Sequence, residues 1–408
     1  MIGTVGIIGA GIGGLAAALG LLRRGIDVAV YEQAEDLKEV GAGVQITPNG
    51  SRVLLCYGME ESIRAIGTPT AGKDTYLWNT GQKRPFMKLG EHSSSHYGAP
   101  YLTFHRADVH GLLLAAVRAL KPDAVQLGRR CESFEQEGSG VELRFADGSR
   151  ARTSIMIGAD GIHSRVRQSL FGADRPQFTG CMAWRGLIPF ERIRDVINFE
   201  GGSMWLGPTA HIVTYPVRRG ELLNFIGMVD RDTWQIESWN AAGTVDECLA
   251  DFEGWHPHVL HMVRNIEIPY KWALMVREPL ERWSVGRVTL LGDACHSTLP
   301  FLSQGANMAL EDSLVLARCL ESFGDQPEQA LARYEALRRL RTAGITRSSA
   351  EQLRRVHNPA LADAQYAQAY IEREWDDQRV EDRYRWIYGY DARSVSLEPE
   401  AGTGTVPA

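Results

Sequence analysis

Cysteine is sparse in this chain and unpaired in sequence. The six present, Cys56, Cys131, Cys181, Cys248, Cys295 and Cys319, form no CxxC and join no Cys/His group at zinc spacing. A disulfide framework and a metal site are therefore not expected, and the thiols read as buried side chains. An excess of positive charge is missing too: 44 Lys+Arg against 50 Asp+Glu leave a net charge of −6. That supplies no concentrated field for nucleic acid or an anionic membrane surface. Met1-Ile2-Gly3-Thr4 has no basic side chain, which argues against a secretory leader and sets a cytoplasmic location as the expectation. Repeats, low-complexity tracts and long charge blocks are also lacking, and disorder is expected only over the last ten or so residues.

Against these absences stands one long uncharged run, VGIIGAGIGGLAAALGLLRR, from Val5 to Arg24. By hydropathy its first ~18 residues could span a membrane. Its glycines speak against that, since each interior glycine costs a helix about 1 kcal/mol relative to alanine. The run reads instead as a buried parallel strand (Thr4 to Ile8), a GxGxxG turn and a helix ending before Gly25. Gly9 permits the tight turn, Gly11 lets backbone approach a pyrophosphate, and Gly14 lets helix pack on strand. Asp27 to Tyr31 makes a second strand, and Glu32 at its end is placed for a ribose hydroxyl. This predicts an α/β fold around a dinucleotide, without saying which one.

Two later segments decide that. In IMIGADGIHSRVR an apolar strand runs into Gly158-Ala159-Asp160-Gly161 and a helix; in RVTLLGDACHSTLPFLSQGANMALED a strand runs into Gly292-Asp293, and after a loop a helix starts near Gly305. With these three fingerprints in order, the chain resembles the single-component FAD-dependent aromatic hydroxylases, above all salicylate 1-hydroxylase, 3-hydroxybenzoate 6-hydroxylase and 6-hydroxynicotinate 3-monooxygenase. The resemblance implies a Rossmann-like FAD-binding domain of the glutathione-reductase-like type, an antiparallel substrate sheet and C-terminal helices. Residues 1–70, 101–178 and 277–325 are expected to form the FAD domain, 71–100 and 179–276 the substrate sheet, and 326–408 the helical end. Within these, the sequence suggests a hairpin turned at Asp147-Gly148, one helix near Val245 to Trp255 and another around Asp363 to Arg379.

The same resemblance assigns roles. Glu32 binds the adenosine ribose, Arg106 lies by the ribityl and phosphate groups, Asp160 touches FAD and the passing nicotinamide cofactor, and Asp293 binds the ribityl chain. With no second GxGxxG, NADH or NADPH binds transiently. On the strand HIVTYP, His211 and Tyr215 share one face and match a His and a Tyr of the relatives, implying a base and a partner for the substrate hydroxyl. Pro300 and the helix start at Gly305 lie beside the flavin ring, with Phe301, Leu302 and Gln45 lining the pocket; His296 is a weaker acid–base candidate. The 6-hydroxynicotinate enzymes carry histidines where this chain has Gln45 and Phe301, which points to a more apolar pocket and a benzenoid ring.

The expected activity is hydroxylation of a hydroxylated aromatic acid with NAD(P)H and O2 through a flavin hydroperoxide, with loss of CO2 in some relatives. A hydroxypyridine carboxylate or a larger polycyclic phenol is the alternative substrate, and an FAD-bearing redox sensor the alternative role. The halogenase signature WxWxIP is missing. The expected partners are small molecules, the protein itself being a monomer or homodimer.

Overall fold

A computed structural model describes residues 2–37, 42–197, 201–232 and 241–398; the tail expected to be disordered lies outside them. Four parallel strands lie side by side in the order Val288–Leu290, Ile155–Gly158, Val5–Ile8, Val28–Tyr31, with Val125–Gln126 and Ser284–Val285 at the edges. All four are buried along their length, which is why each reads as an unbroken apolar run rather than an alternating one. Helix Ile12–Leu22 packs against helix Gly305–Ser322. The opening apolar run is thus a strand and an 11-residue helix. No helix among the described residues is long and apolar enough to cross a membrane.

The chain leaves Val5–Ile8 toward Val28–Tyr31 on one side and returns to Ile155–Gly158 on the other. The carboxyl ends of the strands at such a switch point form a crevice in which ligands bind. Those four neighbouring ends carry Asp293, Asp160, the Gly9 turn and Glu32 in spatial order. Motifs more than a hundred residues apart are joined by strand order alone.

A second sheet has eight strands, ordered Ala241–Ala242, Tyr270–Val276, Gln177–Pro189, Leu222–Asp230, Ala210–Val217, Gly202–Leu206, Gly72–Leu77, Lys83–Lys88. The hairpin from residues 72–88 docks on it in parallel, Lys73 opposite Gly202 and Leu77 opposite Leu206. One face is covered by helices Val245–Asp251 and Pro257–Arg264 over a core of Trp184, Phe225 and Phe252. The other faces the loop Pro300–Leu302 and the helices Pro327–Val356, Ala364–Glu374 and Asp377–Tyr388.

Three local expectations differ in detail. The hairpin before Thr153 has a third strand: Cys131–Glu137, Gly140–Phe145 and Arg150–Thr153 form a meander, since Gly138 (φ 56°) turns the chain once more. The helix expected near Val245 to Trp255 is present but ends at Asp251, and past Gly254 at φ 78° a second one starts at Pro257. The last helix breaks at the buried Trp375, and the Asp376 carboxylate caps the next one by accepting from Gln378 N–H at 3.0 Å.

Candidate active site

At the glycine turn each residue has a separate steric reason. Gly9 has φ 104°, a conformation side chains rarely adopt, and a Cβ there would meet the Ala159 carbonyl oxygen at 2.4 Å. A Cβ on Gly14 would lie 2.0 Å from the Gly9 carbonyl oxygen, whereas one on Gly11 would meet nothing within 4 Å. Gly9 and Gly14 are thus required by the protein's own packing, and Gly11 leaves open space in front of a helix whose first N–H groups have no side-chain cap. Such free N–H groups and the positive end of the helix dipole suit a pyrophosphate. His110 braces the turn from helix Arg106–Leu120, its Nε2 lying 2.7 Å from the Ala10 carbonyl.

Glu32 accepts from Ala10 N–H at 2.8 Å and Ala34 N–H at 2.9 Å, one on each carboxylate oxygen. The remaining lone pairs can take ribose hydroxyls. Asp160 uses Oδ2 to accept from Arg165 N–H (2.7 Å) and Val166 N–H (3.2 Å) at the start of helix Arg165–Phe171, while its Oδ1 is buried with no partner. An orphaned carboxylate oxygen at a strand end is costly unless a ligand completes it. Asp293 is exposed, and its Oδ1 lies 3.9 Å from where a Gly305 Cβ would be, so the GD turn and the start of helix Gly305–Ser322 converge. Arg106 is exposed at the head of its helix, its N–H bonded to the Ala42 carbonyl at 2.8 Å. Open turn, uncapped helix starts and orphaned carboxylate fit a bound FAD, which Gly11, Glu32, Arg106, Asp160, Asp293 and Gly305 would hold.

Helix Gly305–Ser322 is fixed from below by a buried ionic cluster. Arg338 bridges Glu311 (2.6 Å) and Asp312 (2.7 Å), Arg341 pairs with Glu311 at 2.8 Å, and His296 Nε2 lies 2.5 Å from Asp312. Burial opposes ionisation of both carboxyls, yet Arg341 and Arg338 hold Glu311, and His296 and Arg338 hold Asp312, below the usual carboxylate range. His296 is thereby committed to the scaffold.

A small cavity of about 50 Å3 lies between the free face of the second sheet and the Pro300 loop. Gln45, His211, Pro300 and Phe301 all line it, with the His211 and Phe301 rings 5.5 Å apart. Most of its other walls are apolar: Phe86, Met204, Val213, Ile226, Met228 and Val356. Leu302 and Tyr215 do not line it. Leu302 is buried against the C-terminal helices, and Tyr215 packs where a Cβ on Gly43 would meet its ring at 2.5 Å. Burial pushes the Tyr215 phenol up, with the Arg185 guanidinium opposing.

Several groups at this cavity carry no local sequence signal. Lys73 reaches it along the stem it lays over Gly202, where a Cβ would meet its Cγ at 3.2 Å. Burial alone pushes its ammonium down to about 7, with no carboxylate offsetting it. Tyr101 donates to Gln45 Oε1 at 2.5 Å, and Gln45 Nε2 donates to Ser303 Oγ at 2.9 Å, so Gln45 is a fixed part of the wall. His211 Nδ1 lies 2.6 Å from Nε2 of His357, the residue that ends helix Pro327–Val356, and His357 Nδ1 lies 2.5 Å from Asp230 Oδ1. Burial, then the neighbouring His357, pushes the His211 imidazole well below its ordinary value.

Comparison with known proteins agrees with this geometry. Residues 3–349 match the family described as FAD binding domain. A 3-amino-4-hydroxybenzoate 2-monooxygenase from Streptomyces platensis is 38% identical over 96% of this chain and 97% of its own. A 6-hydroxynicotinate 3-monooxygenase from Pseudomonas fluorescens is 34% identical over 97% of each chain. The structure of a salicylate hydroxylase substrate complex superposes with a TM-score of 0.79 at 26% identity, covering 96% of both chains. The chain belongs to the FAD binding domain family and is a flavin-dependent aromatic monooxygenase with FAD as its cofactor.

Proposed function

We propose that the enzyme hydroxylates a single-ring aromatic acid that already carries a ring hydroxyl, a salicylate-type or related hydroxybenzoate. The observation that carries this reading is the pairing of one unneutralised cation, Lys73, with one imidazole, His211, in an otherwise largely apolar cavity. A carboxylate satisfies the first and a phenolic hydroxyl the second. Phe301 stands where the 6-hydroxynicotinate enzymes carry a histidine, and Gln45 is tied to Tyr101 and Ser303, which favours benzenoid over pyridine substrates. The names of the relatives, which act on aminohydroxybenzoate, hydroxynicotinate and salicylate, support the same class.

When bound, FAD supplies hydride acceptance from NAD(P)H and transfer of one oxygen atom from O2 to the ring. The chain's residues do the rest. Lys73 holds the carboxylate and so fixes which ring carbon faces the flavin. His211, whose Nδ1 is engaged by His357, presents Nε2 to the substrate hydroxyl and takes its proton, raising the electron density of the ring. Phe301, Met204, Ile226 and Met228 keep water from the reacting centre. The N–H groups at Gly305 face developing negative charge. Tyr215, outside the cavity, supports the strand that carries His211. The test is product formation by His211→Ala: FAD retained with hydroxylation largely lost supports the assignment, and unchanged hydroxylation refutes it.

A further inference from the structure

We propose that His211, His357 and Asp230 form a proton outlet from the substrate cavity to solvent, in which His357 and Asp230 are relay and positioning residues. The proposal rests on the reading of His211 as the group that takes the hydroxyl proton. A buried imidazole that accepts a proton becomes a buried cation, and the apolar walls around His211 make that state costly. Hydroxylation then needs somewhere for the proton to go. His211 is 2% exposed and the His357 side chain 4%, but the Asp230 side chain is 45% exposed. The two hydrogen bonds of 2.6 and 2.5 Å therefore run from the cavity to the surface without a gap.

The direction of the chain follows from donor and acceptor inventory. An ionised Asp230 can only accept, so His357 Nδ1 carries the proton of that bond. His357 Nε2 is then a lone pair and accepts from His211 Nδ1–H. That leaves the lone pair of His211 on Nε2, a nitrogen with no hydrogen-bond partner among the described residues, where a substrate hydroxyl needs it. One carboxylate at the surface thus sets the tautomer of an imidazole two groups away.

Proton transfer follows the same bonds. As the substrate O–H breaks, His211 gains Nε2–H and passes its Nδ1 proton to His357 Nε2. His357 gives its Nδ1 proton to Asp230, which releases it to water. One proton leaves and both imidazoles end neutral; one proton taken up from water at Asp230 and passed back along the same bonds to the product oxygen restores the starting tautomers.

The frame holds the chain in register. Asp230 ends the strand Leu222–Asp230, where its N–H is bonded to the Thr209 carbonyl and the next N–H to the Gly180 carbonyl. His357 is bridged to Gly207 beside the His211 strand. The other titratable groups facing the relay are Cys181, opposite Asp230, and Lys73 and Tyr384 across the cavity. Burial, and then Asp230, pushes the Cys181 thiol up to about 12, so it does not compete for the proton.

The test compares FAD-loaded wild type with His357→Gln, Asp230→Asn and Asp230→Glu. Each is assayed with salicylate, 3-hydroxybenzoate and 4-hydroxybenzoate for product formation across pH 6 to 9, and nitrogen NMR of labelled histidine reports the tautomer without substrate. The outlet predicts His211 protonated on Nδ1 in wild type. It also predicts kcat lowered about 10-fold or more in His357→Gln and Asp230→Asn, with KM and FAD content little changed, a shifted pH profile, and recovery of most of the rate in Asp230→Glu. A purely structural role predicts equal loss in Asp230→Glu and no change in the pH profile, and that result overturns the outlet. So does an Nε2-protonated His211 in wild type, or a His357→Gln enzyme with undiminished kcat. If wild type converts none of these acids nor 3-amino-4-hydroxybenzoate, the functional reading fails and the outlet with it; if wild type converts one and the variants do so equally well, the outlet alone fails.

Discussion

The Lys73 ammonium lies 5.0 Å from the centre of the Tyr101 ring, at the edge of the cavity that His211 also lines. Among the described residues the ring face is the partner this cation has, an attraction worth about 0.5–2 kcal/mol. An incoming carboxylate offers more, a charge-assisted bond of about 1.5–3 kcal/mol. Lys73→Met is therefore expected to raise KM for the aromatic acid about 10- to 100-fold, with a smaller change in kcat. The sign of the pH effect follows from the lowered ammonium. Lys73 is charged below about 7 and loses its proton above it, so wild-type KM rises with pH beyond neutrality. Steady-state kinetics on both enzymes would show this limb in wild type and its absence in the variant.

Glu32 ties Ala10 to Ala34 and so shapes the turn as well as offering lone pairs to ribose. Glu32→Gln replaces one acceptor oxygen by a donor facing an N–H, and the FAD Kd should rise at least about 10-fold, the effect of losing one charged hydrogen bond. Titration of apoprotein with FAD, followed by flavin fluorescence, measures it. An unaltered Kd would remove Glu32 from the cofactor site.

Arg338 bridges two buried carboxylates at once, and its removal leaves Glu311 to Arg341 and Asp312 to His296 with one positive charge fewer in the buried cluster. Arg338→Met is expected to destabilise the fold by about 3–5 kcal/mol, seen as a lowered denaturation midpoint, and to weaken FAD binding through helix Gly305–Ser322. Because Glu311 and Asp312 have folded pKa values below their unfolded ones, their contribution is present above the ordinary carboxylate range. It is lost as pH falls through the lowered values. Wild type should thus lose stability only in strong acid on this account, and a midpoint unchanged by Arg338→Met would contradict it.

Phe301 lies against His211 and walls the cavity beside Pro300. Phe301→Ala opens a passage for water, so more NAD(P)H should be consumed per product formed while FAD content stays constant. Comparing NAD(P)H oxidation with product yield tests this; unchanged coupling would show that another group excludes water.

The FAD half of the molecule is legible in sequence because each of its devices is local. Gly9, Gly11 and Gly14 sit within one turn, and Asp160 and Asp293 follow buried strands by two and three residues. The substrate half is only partly so. His211, Pro300, Phe301 and Gln45 are marked by family resemblance rather than by a local device, and all four line one cavity. Tyr215, on the same strand face as His211, points past it, because period two fixes a face but not a distance along it. Lys73, Asp230 and His357 are brought to His211 by a parallel strand docking, a strand end and a helix end, separated by up to 284 residues of chain. Nothing local marks a lysine in a hairpin or a histidine after a long helix as parts of one site. The helix break at Trp375 did carry a signal, the capping Asp376, which the apolar period around it obscured.

Substrate-stimulated turnover tests whether the substrate is one benzenoid ring bearing both a carboxylate and a hydroxyl. FAD-loaded enzyme is mixed with NADH or NADPH, O2 and, in turn, salicylate, 3-hydroxybenzoate, 4-hydroxybenzoate, 3-amino-4-hydroxybenzoate and 6-hydroxynicotinate, and products and CO2 are identified by mass. The account predicts accelerated NAD(P)H oxidation with at least one of the benzenoid acids, giving a product with one added oxygen atom, with or without loss of the carboxylate. Stimulation by 6-hydroxynicotinate alone, or by none of these acids, would contradict it.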